Sequence, residues 1–168
     1  MDIKDCIKSR RSIRRFKAEK ISEETFAEIL DLVRFAPSWN NSQTAKYILI
    51  ENDDLKNKIA DETTLDFSWN KKIIKNAPNL VVQIILTGIS GVGKSSKAEN
   101  NTDKWEVYDA GISAQTFSLV AHEKGYGTVI LGIFDEKKVT EILDLSSSEK
   151  VAALIPIGIP DESPKPPK

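Results

Sequence analysis

The sequence predicts an α+β protein, in which a β-sheet is layered with helices. Three observations carry this prediction. Apolar residues recur at helical spacing in several segments, short apolar runs of strand length lie between them, and loops rich in Gly, Pro and Ser separate the two. The 168 residues suit one domain spanning 1–168, since no repeat or linker divides the chain.

The predicted helices have start signals and apolar faces. Asp2 can cap a short first helix, and a second helix begins near Ser22 and ends before Pro37. Further helices are predicted over residues 53–60, 65–76, 103–124 and 135–143. The helix 103–124 is apolar around most of its circumference, which predicts burial in the core or against a second subunit.

Four apolar runs predict the strands, over residues 47–51, 80–87, 128–133 and 151–159. The run 80–87 is continuous, as expected for a strand that is covered on both faces. Loops are predicted over residues 9–16, 38–44 and 88–102. The tail 160–168 contains four prolines and should extend over a surface.

Composition excludes several classes of function. The formal net charge of −1 provides no overall field that would favour nucleic acid or an anionic membrane. No apolar stretch approaches the roughly 20 residues that span a bilayer, and the amino terminus lacks a signal-peptide core. A single cysteine, Cys6, excludes an internal disulfide and a multi-cysteine metal site. We therefore expect a cytoplasmic protein without a bound metal.

Residues 88–95 read GISGVGKS and match the phosphate-binding loop of nucleotide triphosphatases. Such a loop needs a packed helix directly behind it. Residues 96–103 contain one apolar residue, Ala98, so that helix would have no face to bury. Only 73 residues follow Ser95, too few for the βα units of that architecture. We favour a flexible lysine-bearing loop, and a nucleotide-binding protein is kept as the alternative.

The strongest local feature is a basic run, Arg10-Arg11-Ser12-Ile13-Arg14-Arg15-Phe16. A guanidinium group binds phosphate oxygens through two parallel hydrogen bonds, and serine adds another donor. Composition alone leaves two interpretations open, a phosphate site and a solvated basic loop.

Three later segments favour the first interpretation: residues 36–43 (APSWNNSQ), residues 109–127, which begin DAGISAQ and end AHEKGYG, and residues 155–160 (IPIGIP). In this order and spacing they resemble the nitroreductase family of FMN-dependent oxidoreductases, over essentially the whole chain. The resemblance implies a three-layer α/β/α sandwich with a mixed, mainly antiparallel central sheet. It also implies a homodimer with FMN at the subunit interface.

The resemblance assigns cofactor-binding residues in two loops. The family pattern R-x-S-x-[RK] falls on Arg10, Ser12 and Arg14, which would hold the FMN phosphate and ribityl chain, with Arg11 beside them. The pattern P-S-x-x-N-x-Q falls on a loop that reaches the flavin from the opposite subunit. Its residues are Pro37, Ser38, Trp39, Asn41 and Gln43.

Further positions follow from the same resemblance. Asn70 lies where several members place an amide near the pyrimidine edge of the flavin ring. Ile130, Leu131 and Gly132 correspond to a segment whose backbone N–H faces flavin N5. Lys168, or alternatively Lys165, matches a basic C-terminal residue that helps bind the phosphate.

The implied activity is hydride transfer from NAD(P)H through flavin N5 to a nitroaromatic, quinone, flavin or oxygen acceptor, in a ping-pong cycle. No catalytic side chain is predicted, because the cofactor carries the hydride chemistry. A flavin-binding module without turnover is the non-enzyme alternative. The chain departs from many relatives at Thr44-Ala45, where they have Pro-Trp, and at Leu131, where classical bacterial members have an acidic residue. The first departure predicts a wider pocket beside the ring.

Overall fold

The computed structural model describes residues 1–92 and 102–163. Its α-helices are α1 (Ile3–Ser9), α2 (Glu23–Val33), α3 (Asp53–Thr63), α4 (Ser68–Asn76), α5 (Thr102–Glu123) and α6 (Glu136–Ile142). Its strands are β1 (Ala45–Ile50), β2 (Asn79–Leu86), β3 (Gly127–Thr128) and β4 (Glu149–Gly158). The predicted phosphate-binding residue Lys168, its alternative Lys165, and residues 93–95 of the GISGVGKS motif lie outside the described residues.

Side-chain caps explain where several helices begin. Asp2 accepts a hydrogen bond from the first turn of α1, Ser22 from that of α2 and Asp135 from that of α6. Each satisfies a backbone N–H that has no partner within its helix. Helix α3 begins at Asp53, as predicted, with Asn52 as its cap, and it ends at Thr63, three residues later than predicted. Helix α4 begins at Ser68, three residues later than predicted.

The sheet has the strand order β1-β2-β4-β3, and all three pairings are antiparallel. The central strand β2 is almost wholly buried, as its continuous apolar run predicts. The predicted strand 128–133 is shorter in the structure, because after β3 only Leu131 forms a bridge, to Leu154 of β4. A single parallel bridge joins Ser12, which lies outside the strands, to Thr128 of β3. The expected mainly antiparallel sheet is confirmed.

Two hydrophobic cores lie on opposite faces of the sheet. Because strand side chains alternate, Val81 packs in the core that contains Ile29 of α2 and Phe117 of α5. Val82 packs in the core that contains Ile74 of α4, together with residues of α3 and α6. Helices therefore cover both faces, and the predicted three-layer α/β/α arrangement is confirmed.

The long helix α5 is buried over only part of its length. Phe117 and Ala121 are fully buried, whereas Val107 and Tyr108 are 60% and 62% exposed. Trp105 is 38% exposed. The apolar surface near the N-terminal end of α5 thus has no cover among the described residues of this chain. No described helix is both long enough and apolar enough to cross a membrane.

Candidate functional site

Backbone hydrogen bonds hold the basic loop, residues 10–16, at two positions. The N–H of Ile13 donates to the carbonyl of Thr128 in β3 at 2.9 Å, and the N–H of Lys17 donates to the carbonyl of Ile159 at 2.9 Å. Ile13 and Phe16 are buried among core residues. These anchors fix the backbone of the loop, from which Arg14 and Arg15 are exposed to solvent, whereas Arg10 and Arg11 are half-buried.

The four arginines have different surroundings. The Nη1 of Arg11 donates to the carbonyls of Lys8 and Arg10, both at 2.7 Å, so this guanidinium closes the C-terminal end of α1. Arg15 faces the carboxylate of Glu162 at 3.5 Å. Neither Arg10 nor Arg14 forms an ion pair with any residue in the described part of the chain. These two guanidinium groups are therefore available for an anion.

Glu162 is a residue that sequence reasoning missed. Its side chain is 18% exposed, and its carboxylate accepts the backbone N–H groups of Arg14 and Arg15. A cavity of about 360 Å³ opens beside it, lined in part by Arg11 and His122. Glu162 lies in the proline-rich tail, almost 150 residues from its partners, so no local pattern signals this contact.

His122 lies next to the basic loop at the end of α5. Its Nε2 is 2.7 Å from Oγ of Ser9, and that hydroxyl donates to the carbonyl of Asp5 at 2.6 Å. The imidazole therefore donates to Ser9. Burial, followed by the charges of Arg10 and Arg11, lowers the pKa of His122.

The second candidate segment, residues 37–43, has a strained backbone. It contains a 3-10 helix, Trp39–Asn41, and positive φ angles at Asn40 (48°), Asn41 (54°) and Gln43 (50°). Residues other than glycine rarely adopt this conformation, so other contacts must stabilise it. One is local, because the N–H of Gln43 donates to Oγ of Ser38 at 2.9 Å.

A buried carboxylate provides the other contacts to this loop. The N–H of Trp39 lies 3.0 Å from both carboxylate oxygens of Asp109 in α5. The hydroxyls of Ser42 and Ser90 donate to Oδ2 of Asp109 at 3.4 Å and 2.6 Å. Asp109 is 3% exposed. The sequence placed it within a family-like segment, but no role was predicted for it.

Asn70 and the segment after β3 form a third part of the candidate site. The buried Nδ2 of Asn70 donates to the carbonyl of Ile133 at 3.2 Å. The N–H of Leu131 donates to the carbonyl of Leu154 at 2.9 Å, so the Leu131 N–H is used within the sheet. Within the described residues, the N–H groups of Ile130 and Gly132 have no such partner, so they are the ones in this segment that could face a flavin. Gly132 lines a cavity of about 390 Å³ that also borders α5.

The predicted residues form two groups within one chain. The basic loop lies beside His122, whereas the loop 37–43 is held by Asp109. These two residues of α5 are 13 positions apart, which corresponds to about 20 Å along a helix. A third segment, residues 130–133, follows β3, whose Thr128 bridges to Ser12 of the basic loop, and Asn70 of α4 donates to Ile133 of this segment. Gly132 also lines a cavity with Val107 and Ala110 of α5.

A cavity of about 260 Å³ lies behind the loop 37–43, bordered by Thr44 and Ala45. The phenol of Tyr47, which also lines it, is 2.6 Å from Oγ of Ser113 and accepts a hydrogen bond from Gln83. Burial raises the pKa of Tyr47 to about 12, against the opposing effect of these hydrogen bonds. The phenol is therefore neutral at physiological pH.

The contacts of the segment 88–92 argue against a phosphate-binding loop. The N–H of Gly88 donates to the carboxylate of Glu106 at 2.6 Å, and Ser90 donates to Asp109. Both acidic residues are buried. Two carboxylates at this position would repel the phosphates that such a loop must hold.

Comparison with known proteins defines the class. The family model described as the nitroreductase family matches residues 7–159. A relative from Methanothermobacter thermautotrophicus, provisionally named an NADH dehydrogenase/NAD(P)H nitroreductase, is 30% identical over 168 residues, covering 98% of this chain and 80% of the relative. The chain belongs to the nitroreductase family of oxidoreductases.

Solved structures agree with this assignment. A nitroreductase family protein from Clostridium novyi NT superimposes with a TM-score of 0.84 at 29% identity, covering 99% of this chain and 89% of the other. An FMN-dependent nitroreductase from Clostridium difficile R20291 gives a TM-score of 0.78 at 27% identity, covering 99% and 92%. The predicted family and fold are confirmed.

Proposed function

We propose that the protein is an FMN-dependent oxidoreductase that transfers hydride from NAD(P)H to nitroaromatic, quinone, flavin or oxygen acceptors in a ping-pong cycle. The observation that carries the proposal is the anchored basic loop, on which Arg10 and Arg14 present two guanidinium groups without ion-pair partners among the described residues. A terminal phosphate dianion suits such a pair, because each guanidinium can donate two hydrogen bonds.

The residues of this chain fit an FMN molecule. Arg10, Ser12 and Arg14 would hold the phosphate, while Asn70 and the backbone N–H of Gly132 would face the polar edge of the ring. Bound FMN supplies the hydride chemistry, accepting at N5. The chain contributes by binding and orienting the cofactor and by leaving one face of the ring open to substrates.

We further propose that a homodimer completes the site and that residues 1–168 form one cytoplasmic domain of this kind. The separation of about 20 Å between Asp109 and His122 along α5 supports the dimer, because the loop 37–43 would then serve the basic loop of the partner. The exposed side chains Trp105, Val107 and Tyr108 on α5 offer an apolar surface for the partner.

An absorption spectrum with and without NAD(P)H tests the proposal. The purified protein should be yellow or should take up FMN stoichiometrically in preference to FAD, and anaerobic NAD(P)H should bleach the flavin bands. A colourless protein that does not bind added FMN would refute the proposal. Flavin binding without bleaching would favour the binding module without turnover.

Light scattering tests the dimer separately. We expect the mass of two chains for the flavin-loaded protein at micromolar concentration. An active, flavin-loaded monomer would contradict the shared site while leaving the flavin chemistry intact.

A further inference from the structure

We infer that Asp109 is a positioning residue that holds the loop 37–43 in the conformation which completes the FMN site of the partner subunit. This inference rests on the proposed function. It gives the buried side chain of Asp109 a role in orienting the loop that completes each FMN site.

The contacts of Asp109 are those of a clamp. Both of its carboxylate oxygens lie 3.0 Å from the N–H of Trp39, and its Oδ2 accepts from Ser90 at 2.6 Å and from Ser42 at 3.4 Å. A carboxylate offers acceptors only, and every group facing it here is a donor. A buried polar group is tolerated when its hydrogen bonds are satisfied in this way.

The loop needs such a clamp because its backbone is strained. Asn40, Asn41 and Gln43 all have positive φ angles, and each is an unfavourable conformation for a residue other than glycine. The local hydrogen bond from Gln43 to Ser38 closes only one turn. The hydrogen bonds to Asp109 connect this turn to α5, so the loop keeps a single conformation when FMN binds in the site of the partner subunit.

The position of the clamp separates it from the phosphate site of its own chain. Asp109 lies 13 residues before His122 on the same helix, so the two residues are about 20 Å apart, and it is His122 that contacts Ser9 at the start of the basic loop. A change at Asp109 should therefore alter FMN binding at the site built on the Arg10 of the partner subunit, rather than on the Arg10 of its own chain.

Asp109→Asn is the variant that tests the inference. The asparagine amide has the same shape as the carboxylate, but an NH₂ group replaces one of the two accepting oxygens. The Trp39 N–H and the two serine hydroxyls then have only one oxygen to donate to. We expect the FMN dissociation constant of the dimer to rise about tenfold, in the range of one lost charge-assisted hydrogen bond.

Glu106→Gln is the matched control. Glu106 is also buried, lies one helical turn before Asp109, and accepts a backbone N–H at 2.6 Å, but that N–H belongs to Gly88 outside the loop 37–43. Melting temperatures of both apoproteins are measured beside FMN affinity. Equal loss of FMN affinity in Glu106→Gln and Asp109→Asn would mean general destabilisation and would overturn the inference.

A mixed dimer gives the decisive readout. Subunits carrying Arg10→Ala and subunits carrying Asp109→Asn are co-expressed with two different tags, and the mixed dimer is purified and titrated with FMN. If Asp109 acts on the partner's site, one site combines an intact Arg10 with an intact loop, and half of the sites bind FMN with wild-type affinity. The other site carries both defects.

The opposite outcomes are distinct. If no site of the mixed dimer has wild-type affinity, Asp109 acts within its own chain and the inference fails, although the proposed flavin chemistry stands. If the wild-type protein itself binds no FMN, the proposed function fails, and the inference fails with it.

Discussion

The phosphate-binding role of the basic loop can be tested by replacing Arg10 with alanine. The backbone of Arg10 closes the first helix, donating its N–H to Cys6 at 3.0 Å, and the substitution leaves this hydrogen bond in place. The guanidinium group makes no ion pair within residues 1–92 and 102–163, so its removal breaks no observed salt bridge. The change should therefore affect an anionic ligand far more than the fold.

The expected magnitude follows from the strength of the hydrogen bonds that the Arg10 guanidinium would donate to the phosphate. A hydrogen bond to a charged group contributes about 1.5–3 kcal/mol, and each 1.4 kcal/mol is a factor of ten in affinity. Arg10→Ala should weaken FMN binding by about ten- to a hundredfold. Riboflavin has no phosphate, and its ring contacts lie at Asn70 and Gly132 in the proposed site, so riboflavin binding should change far less.

The assay is a fluorescence titration of the apoprotein with FMN and with riboflavin. Arg14→Ala should behave like Arg10→Ala, and Arg15→Ala is the control, because Arg15 faces Glu162 at 3.5 Å and lies outside the family pattern. Since Arg10 is one of the cations that lower the pKa of His122, that pKa should also rise in Arg10→Ala. Equal losses for FMN and riboflavin would indicate unfolding, and no loss for either would refute the phosphate contact.

Three further predictions concern stability and the rejected nucleotide site. Gly127→Ala should lower the free energy of unfolding by about 1–3 kcal/mol in a denaturant titration, because the added Cβ would lie 2.5 Å from a carbon of Ile13. Gly132→Ala is the control for stability, because a Cβ at Gly132 would have no atom within 4 Å. Because the pKa of His122 is lowered on folding, the unfolded chain binds the proton more readily. Stability should therefore fall as the pH drops below about 6.5, and the fall should be smaller in His122→Gln; an unchanged pH profile in that variant would contradict this origin. Calorimetry should detect no ATP binding, and Lys94→Ala should leave the flavin content unchanged. ATP binding at micromolar concentration that Lys94→Ala abolishes would favour a nucleotide-binding protein over a flavoenzyme.

The sequence predicts best those elements whose signals are local. Asp2, Ser22 and Asp135 cap the helices at whose starts they stand, because a cap is a contact between residues two or three positions apart. The continuous run of β2 likewise predicts a central strand. The length of the edge strand β3 is overestimated from the sequence, because the length of a strand depends on its pairing partner. Among residues 129–133, Leu131 forms a bridge to Leu154 of β4, and the rest form none.

The candidate site is predicted in part for the same reason. The basic run and the loop 37–43 are visible as patterns, whereas the residues that hold them are not. Asp109 contacts a residue 70 positions away and Glu162 contacts one 148 positions away. Burial is the default expectation for a tryptophan such as Trp69, yet its side chain is 55% exposed. Only the fold brings such residues together or leaves them without cover.

The geometry of α5 supports the proposed dimer. One helix carries Asp109, which holds the loop 37–43, and thirteen residues later His122, which contacts the basic loop through Ser9. Because a helix is rigid over this length, Asp109 and His122 of one chain stay about 20 Å apart. In the proposed dimer, a second copy covers the exposed apolar residues of α5, and each loop 37–43 serves the basic loop of the partner. If forming the proposed dimer both buries that surface and completes the two flavin sites, substitution of Val107 by a charged residue should weaken the dimer and FMN binding together.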